Sequence, residues 1–208
     1  MKITWLGHAC FKIETAEGSL VLDPYAPGSV PGLSLPALTA DTALCSHAHS
    51  DHNYAAGVTL SGRETALKIS RLPCFHDGEG GRLRGKNLIS VVDAEGLRLV
   101  HLGDLGHMLS PSLLAALGRV DVLLIPVGGF YTIDAAQAQA LCSALKPRIV
   151  VPMHYRSDTC GLSNVAPAED FLRLRSDVVY AHSSAFDPKA QSAPVTLVLD
   201  PDKSALVR

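Results

Sequence analysis

Residues 47–52 read HAHSDH, so three histidines and one aspartate fall within six positions. They directly follow an apolar segment at residues 42–45 that we predict to be a β-strand. Alternate residues share one side of an extended chain, so the first two histidines can point the same way while the bending backbone turns Asp51 and His52 to a neighbouring position. The spacing therefore predicts two adjacent metal positions.

The chemistry of this run favours a catalytic metal site over a structural one. Imidazole nitrogens and carboxylate oxygens are the ligands that zinc uses in catalytic sites, where the protein leaves one position open for water. The run contains no cysteine. The alternative is a chance packing of polar loop residues, which explains a single exposed histidine better than four ligand-type side chains in six positions.

Three further ligand-type residues follow apolar segments that we predict to be strands. His76 follows residues 72–75, while Asp104 and His154 come directly after later apolar runs. Side chains at strand ends on one edge of a sheet converge without being close in sequence, and rigid strands hold them well. We expect these residues to meet the HAHSDH run. His76 stands beside a loop-like stretch, so a solvated histidine is the alternative there.

The rest of the pattern predicts a layered α/β domain. Residues 2–23 have the short alternating segments of a β-meander, and residues 24–41 are rich in proline and glycine, which predicts a loop that borders a pocket. Strands then alternate with helical patterns near residues 111–117, 134–145 and 167–175. Because no linker or repeat interrupts the chain, we predict a single domain over residues 1–208.

Composition excludes several classes of protein. The chain is 47% hydrophobic and has a net charge of -2, so we expect no strong electrostatic attraction to nucleic acid. Its five cysteines form no CxxC pair and are expected to be reduced core thiols. The N-terminus does not resemble a secretory signal, and the apolar runs are shorter than the roughly 20 residues of a membrane helix. We expect a soluble, cytoplasmic protein.

Several motifs together resemble the metallo-β-lactamase superfamily: HAHSDH, HLGD with Asp104, and PMH with His154. The opening TWLGHACFKIE with LDP, and the segments HLGDLGH and IPVGGFYTID, are similar to its small metal-dependent hydrolases, the branch that includes ascorbate phosphate lactonase. The resemblance spans nearly the whole chain and implies a four-layered αβ/βα sandwich. One departure is NYAAG after His52, where many members have HxGG and a longer helix.

The resemblance also implies a ligand set for two metal ions. The ligands are His47, His49 and His76 for one ion, Asp51, His52 and His154 for the second, and Asp104 bridging the two. Zinc is the expected metal, with manganese or iron as alternatives. Two such ions activate a hydroxide and polarise the substrate, and Asp51 would orient that hydroxide and pass a proton to the leaving group. We therefore expect hydrolysis of an ester, lactone or phosphoester.

Supporting roles are predicted for three residues. Asp23 resembles the aspartate that holds the histidine loop, since ligating histidines need acceptors that fix their tautomer; a turn residue beside Pro24 is the alternative. His8 and His107 are candidates for the rim of the site, as substrate contacts or proton donors. An ordinary hydrogen-bonded histidine explains either of them equally well.

Structural roles are the alternatives for several other polar residues. His101 lies inside a predicted strand, where a buried structural role fits better than ligation. Arg82, Arg84 and Lys86 form a basic trio after His76 that could grip a phosphate or carboxylate, although such a run is more often a solvated face.

Two other functions remain open on the sequence. One is an iron-dependent redox enzyme on the same scaffold, and the other is a non-catalytic metal-binding protein. Nucleic-acid processing ranks lower, because neither a basic surface nor a recognition domain is apparent. We expect a small-molecule substrate, no membrane partner and no nucleic acid; the sequence does not indicate an oligomeric state.

Overall fold

A computed structural model describes residues 1–192 and 194–207. The strands, in chain order, are β1 Lys2–Trp5, β2 Phe11–Thr15, β3 Gly18–Leu22, β4 Leu38–Ala40, β5 Thr42–Leu44, β6 Val58–Leu60, β7 Lys68–Phe75, β8 Lys86–Ala94, β9 Leu97–His101, β10 Val122–Pro126, β11 Ile149–Met153, β12 Val178–Tyr180, β13 Ala185–Phe186 and β14 Val195–Val198. The α-helices are α1 Pro111–Leu117, α2 Ala135–Leu145 and α3 Glu169–Leu172.

Two large sheets form the centre of the molecule. One has five strands in the order β13-β1-β2-β3-β5, and the other has seven in the order β12-β14-β11-β10-β9-β8-β7. Strands β9, β10 and β11 run parallel, and all five residues of β10 and of β11 are buried. Such continuous apolar runs are expected for parallel strands covered on both faces.

The core has three parts, which define the layers. Ile13, Leu20 and Leu124 belong to the cluster between the two sheets. Phe171 and Leu141 belong to a second cluster, where the helices cover the outer face of the seven-stranded sheet. A third cluster, which includes Tyr25 and Val58, covers the outer face of the five-stranded sheet. The predicted α/β sandwich is confirmed.

The layer over the five-stranded sheet differs from the expected helical one. Among the described residues it contains extended loop, a parallel pairing of β4 with β6, and a 3-10 turn at Ala55–Gly57, in the segment where the sequence departs from the longer helix that the resemblance implies. The segment that we predicted as loop up to residue 41 therefore contains a short strand. The last predicted helix, residues 167–175, is reduced to α3 because Pro167 forms a bridge to Arg156 instead.

Local signals explain the helices that were predicted well. Ser110 caps α1 with its side chain and Pro111 occupies the first turn. Asp134 and Gln137 form a reciprocal capping box at the start of α2.

Cys10, Cys74 and Cys142 are buried free thiols, as predicted, whereas the free thiols of Cys45 and Cys160 are only partly buried. Within the described residues, no helix is long and apolar enough to cross a membrane.

Candidate metal centre

Strand direction explains why the ligand-type residues meet. Strand β7 runs antiparallel to β8, and β8 runs antiparallel to β9, so β7 ends on the same edge as β9 and β11. In the other sheet, β1, β3 and β5 likewise share one direction. The residues that follow these ends are His8, Asp23 and the HAHSDH run in one sheet, and His76, Asp104 and His154 in the other.

The first group of possible ligands is His47, His49 and His76, whose ligand atoms all lie within 4.8 Å of one another. The rings of His47 and His76 are 4.6 Å apart between centroids, in an edge-to-face arrangement. His76 is 1% exposed, so the structure excludes the solvated-loop alternative for this side chain. His49 is exposed and leaves the group open on one side.

The second group contains His8, Asp51, His52 and His154, again within 4.8 Å of one another. Asp51 Oδ2 lies 3.2 Å from His8 Nε2 and 3.6 Å from His52 Nε2. His8 is 3% exposed, and the ring centroids of His8 and His154 are 4.1 Å apart. His8 therefore joins a set in which the sequence predicted only the other three.

Asp104 lies between the two groups. Its carboxylate oxygens are 3.2 Å from the Nε2 atoms of His52, His76 and His154. Burial by itself raises the pKa of Asp104, but the adjacent His154 and His52 outweigh it and hold this pKa well below the usual value. An ionised, buried carboxylate in contact with both groups is suited to bridging two cations.

Buried polar atoms without hydrogen bonds support the presence of ions at this edge. Within the described residues, the unpartnered atoms of the cluster are His8 Nδ1, His47 Nε2, His52 Nε2, His76 Nδ1, Asp104 Oδ1 and both ring nitrogens of His154. Each such atom costs about 1–3 kcal/mol when it stays unsatisfied. Burial, followed by His52, lowers the pKa of His47 to about 3, so this imidazole is in the neutral form that ligates metals. The donor set fits divalent cations.

A family model for the beta-lactamase superfamily domain matches residues 2–154 of this chain. The chain belongs to the metallo-β-lactamase superfamily. Among its curated relatives, a UPF0173 metal-dependent hydrolase of Archaeoglobus fulgidus is 30% identical over 196 residues, covering 76% of this chain and 84% of the relative. Another, from Opitutus terrae, is 32% identical over 199 residues, covering 76% and 86%. The similarity to these relatives identifies the chain as an enzyme of the metal-dependent hydrolase type.

A solved structure extends the likeness to nearly the whole chain. A metallo-β-lactamase superfamily protein from Thermotoga maritima, for which zinc-dependent hydrolysis has been suggested, superposes with a TM-score of 0.75 at 32% identity. The match covers 95% of this chain and 97% of that one. The membership predicted from the motifs is thus confirmed, whereas the likeness to ascorbate phosphate lactonases stays a prediction.

In this superfamily member, Asp23 holds the histidine run in place. Its Oδ2 lies 2.8 Å from His52 Nδ1, and its Oδ1 accepts a hydrogen bond from the backbone N–H of Ser46 at 2.6 Å. The Ser46 hydroxyl in turn lies 2.9 Å from His47 Nδ1. Asp23 thereby orients one histidine of each metal group through the ring nitrogen that faces away from the cluster.

The backbone at this edge is locally strained. His8 and His154 both have φ of 53°, and the His154 N–H donates to the His8 carbonyl at 3.2 Å. Non-glycine residues in this region cost about 1–3 kcal/mol and persist only where the surroundings fix them. At Gly106, a Cβ would lie 2.3 Å from the His76 carbonyl carbon, so only glycine lets this loop approach the ligand.

Two other histidines stay outside the groups. His107 Nε2 accepts the Phe75 N–H at 3.1 Å, and its Nδ1 lies 2.9 Å from the Met108 carbonyl. These bonds occupy both ring nitrogens, so the predicted rim position serves a structural purpose. His101 is fully buried and its Nε2 lies 2.9 Å from the Ala9 carbonyl, in the structural role expected for it.

Sequence reasoning undervalued His8. It was expected at the rim, yet it lies as deep as His52 and within reach of Asp51. One signal could have found it. Like Asp104 and His154, it follows the end of a largely buried strand, and Gly7 before it permits a sharp turn.

Proposed function

We propose that this enzyme hydrolyses an ester, lactone or phosphoester bond of a small molecule with the help of two divalent cations. The observation that supports this best is the pair of ligand groups around Asp104, in which ring nitrogens of the histidines and one oxygen of Asp104 are buried with no hydrogen-bond partner among the described residues. A single ion would leave one of these groups unsatisfied.

The ligand sets that the resemblance implies are compatible with the geometry of the cluster. One ion would be held by His47, His49 and His76, the other by Asp51, His52 and His154, with Asp104 between them. Neither group contains a cysteine. Nitrogen and oxygen donors suit zinc, and manganese or iron are alternatives. When bound, such ions polarise a substrate oxygen and lower the pKa of a coordinated water.

Asp51 is the residue that we propose for proton transfer. Burial raises its pKa, but the bond from His8 and the charge of His52 outweigh burial, so this pKa is lower than usual and the carboxylate is ionised at neutral pH. Asp51 also lines a cavity beside the histidines. One carboxylate oxygen can therefore accept a proton from the attacking water and return it to the leaving oxygen.

The dimensions of the cavity support a small substrate. Its volume is about 290 Å³, near the lower limit of about 300 Å³ typical for ligand pockets. The free cysteine thiols are compatible with a reducing compartment, which supports the proposal that the enzyme acts in the cytoplasm.

A panel of chromogenic substrates tests the proposed reaction. Metal-free protein, reconstituted separately with zinc, manganese or iron, is assayed with bis(p-nitrophenyl) phosphate, p-nitrophenyl phosphate and a chromogenic lactone. We expect hydrolysis of at least one substrate class that disappears with a chelator and returns with metal. Iron-dependent dioxygen consumption without hydrolysis would instead favour the redox function, and metal binding with no turnover of either kind would favour a non-catalytic protein.

A further inference from the structure

The lining of the cavity beside the histidines combines two kinds of residue. It includes the ligand-type residues His49, Asp51 and His76 together with Arg84 and Tyr131. A substrate bound in this cavity would therefore lie near a cationic side chain. Arg84 also lines a second, adjoining cavity of about 580 Å³ next to His47 and His49.

The guanidinium of Arg84 contacts an aromatic ring but has no carboxylate partner among the described residues. Its Cζ lies 5.6 Å from the centroid of the Tyr131 ring, within the range of a cation–π contact. Among the ion pairs of the described residues, Arg84 has no carboxylate partner. By contrast, Arg82 in the same loop is exposed and paired with Glu79 at 2.9 Å. The two arginines are close in sequence but differ in what they contact.

The loop that carries Arg84 is fixed by one aspartate. Asp77 is 2% exposed, and its carboxylate accepts hydrogen bonds from backbone N–H groups of the loop. The donors are Glu79 at 2.8 Å, Gly81 at 2.9 Å, Leu83 at 3.0 Å and Arg84 at 2.7 Å. Because the Arg84 backbone is one of the donors, the hydrogen bond to Asp77 fixes the backbone of Arg84 near His76, the residue before Asp77.

Tyr131, on which the guanidinium rests, is also held in place. Its hydroxyl accepts a hydrogen bond from Asn164 Nδ2 at 2.6 Å, and its backbone N–H donates to the Gly129 carbonyl at 2.7 Å. The preceding residue, Phe130, has φ of 59°. A strained, non-glycine residue beside a cavity suggests that the position of the next side chain serves a purpose.

We propose that Arg84 anchors an oxyanion of the substrate, a phosphate or a carboxylate, in this cavity. The inference deepens the proposed function and rests on it, because it gives the substrate a negative charge. A guanidinium presents two parallel N–H donors that match the oxygens of either group, and stacking on an aromatic ring limits its motion. Arg84 is thus a residue that determines specificity, whereas the metal ligands determine reactivity.

Binding of an anion without turnover provides a first test. Inorganic phosphate and acetate are titrated separately, by calorimetry, into metal-free wild-type, Arg84→Met and Arg82→Met proteins. We expect Arg84→Met to weaken binding of the preferred anion about tenfold to a hundredfold, since hydrogen bonds to charged groups contribute roughly 1.5–3 kcal/mol. Arg82→Met should bind like the wild type. Equal binding by all three proteins would overturn the subsite.

Kinetics on the metal-loaded enzyme provide a second test. We compare p-nitrophenyl phosphate, which is anionic, with p-nitrophenyl acetate, which is neutral and has the same leaving group. Arg84→Met should raise KM for the anionic substrate about tenfold or more and leave kcat/KM for the neutral one within about twofold. Arg84→Lys, which keeps the charge but not the planar fork, should fall between the two.

The two tests separate the subsite from the proposed function. Wild-type protein that binds phosphate through Arg84 but hydrolyses nothing with any metal would contradict the hydrolase while supporting the anion subsite. If the wild type is a hydrolase but Arg84→Met loses activity equally toward the anionic and the neutral substrate, the anion subsite is contradicted and the hydrolase function is not.

Discussion

Opposite edges of the seven-stranded sheet both carry a cavity lined with polar residues, and they differ in how those residues are satisfied. The cavity at the edge where β9 and β10 begin has a volume of about 460 Å³, between the volumes of about 290 Å³ and 580 Å³ of the two cavities beside the histidines. Yet most of its charged side chains have a partner. Arg98 bonds Asp93 at 2.8 Å, Arg119 bonds Asp121 at 2.8 Å, and Glu95 receives the N-terminal ammonium at 2.7 Å.

Neither the volume of a cavity nor the presence of charged residues therefore distinguishes the candidate site from the far edge. At the histidine edge, ring nitrogens and a carboxylate oxygen are buried without hydrogen bonds, a state that folding tolerates only where something else satisfies them. At the far edge, even the φ of 51° at Glu95 has a local reason, since Glu95 and Gly96 form the two-residue turn between β8 and β9. Among the described residues, buried polar atoms without hydrogen bonds cluster at the histidine edge, whereas the residues that line the far cavity contribute only Glu17 Oε2.

The largest effect is expected at Asp104, which contacts both ligand groups. Asp104→Ala should abolish stable binding of metal and reduce kcat/KM by about a thousandfold or more, because metal ions supply several kcal/mol of transition-state stabilisation and about 1.36 kcal/mol corresponds to a factor of ten. Elemental analysis of the purified variant and a hydrolysis assay measure both quantities.

A matched aspartate at the far edge provides the control. Asp121 is 3% exposed and accepts the Arg98 N–H at 2.9 Å, so Asp121→Ala should lower the free energy of unfolding by about 1–3 kcal/mol without loss of metal. If both variants lost metal to the same degree, the distinction between the two edges would fail.

The next effect is expected at Asp23, which contacts the histidines from outside the cluster. Asp23→Asn keeps the size of the side chain but removes the charge that fixes His52, so affinity for metal should fall by about a hundredfold. Competition with a chromophoric chelator measures this affinity. An unchanged affinity would mean that the position of His52 does not depend on Asp23.

A smaller effect is expected at His8, which belongs to the second group only. His8→Ala should weaken one of the two metal sites about tenfold, because Asp51 loses the contact at 3.2 Å, and should leave the other site unaltered. Cobalt titration, followed by its visible absorption, resolves the two binding events. Equal weakening of both sites would contradict the division into groups.

The smallest predicted effect is on the pH dependence of stability, through Glu95 at the far edge. The N-terminal ammonium, Lys189 and the Ala16 N–H lower the pKa of Glu95 from 4.5 to about 2. Since this pKa is lower in the folded state, the stabilisation is fully present above about pH 4.5 and is lost as the pH falls through about 2. Glu95→Gln should therefore flatten the decrease of the unfolding midpoint over this range, as thermal unfolding would reveal. An unaltered slope would exclude this contribution.

Much of the fold was accessible from the sequence because local signals agree with tertiary structure. The capping aspartate of α2 and the continuous apolar run of β11 are examples. The pairing of β4 with β6 was not accessible, since each strand has only three residues and their partner lies about twenty residues away. Short strands carry too few side chains for an alternating pattern to be recognised.

For the candidate site, density of ligand-type residues was the decisive signal. The HAHSDH run needed no tertiary information, whereas His8 and Arg84 did. His8 reaches the second group only because β1 and β5 end on the same edge of one sheet. Arg84 is distinguished from Arg82 by its place in the cavity and by contact with Tyr131, a residue far away in sequence. Convergence of single residues is a property of topology, which spacing along the chain does not encode.

The number of bound metal ions tests the central claim most directly. Metal-free protein is reconstituted with zinc, dialysed, and analysed for metal content per chain alongside Asp104→Ala. Our account predicts close to two ions per chain for the wild type and substantially less than one for the variant. A wild-type protein that retains one ion or none, or a variant that retains two, would contradict a two-metal centre bridged by Asp104.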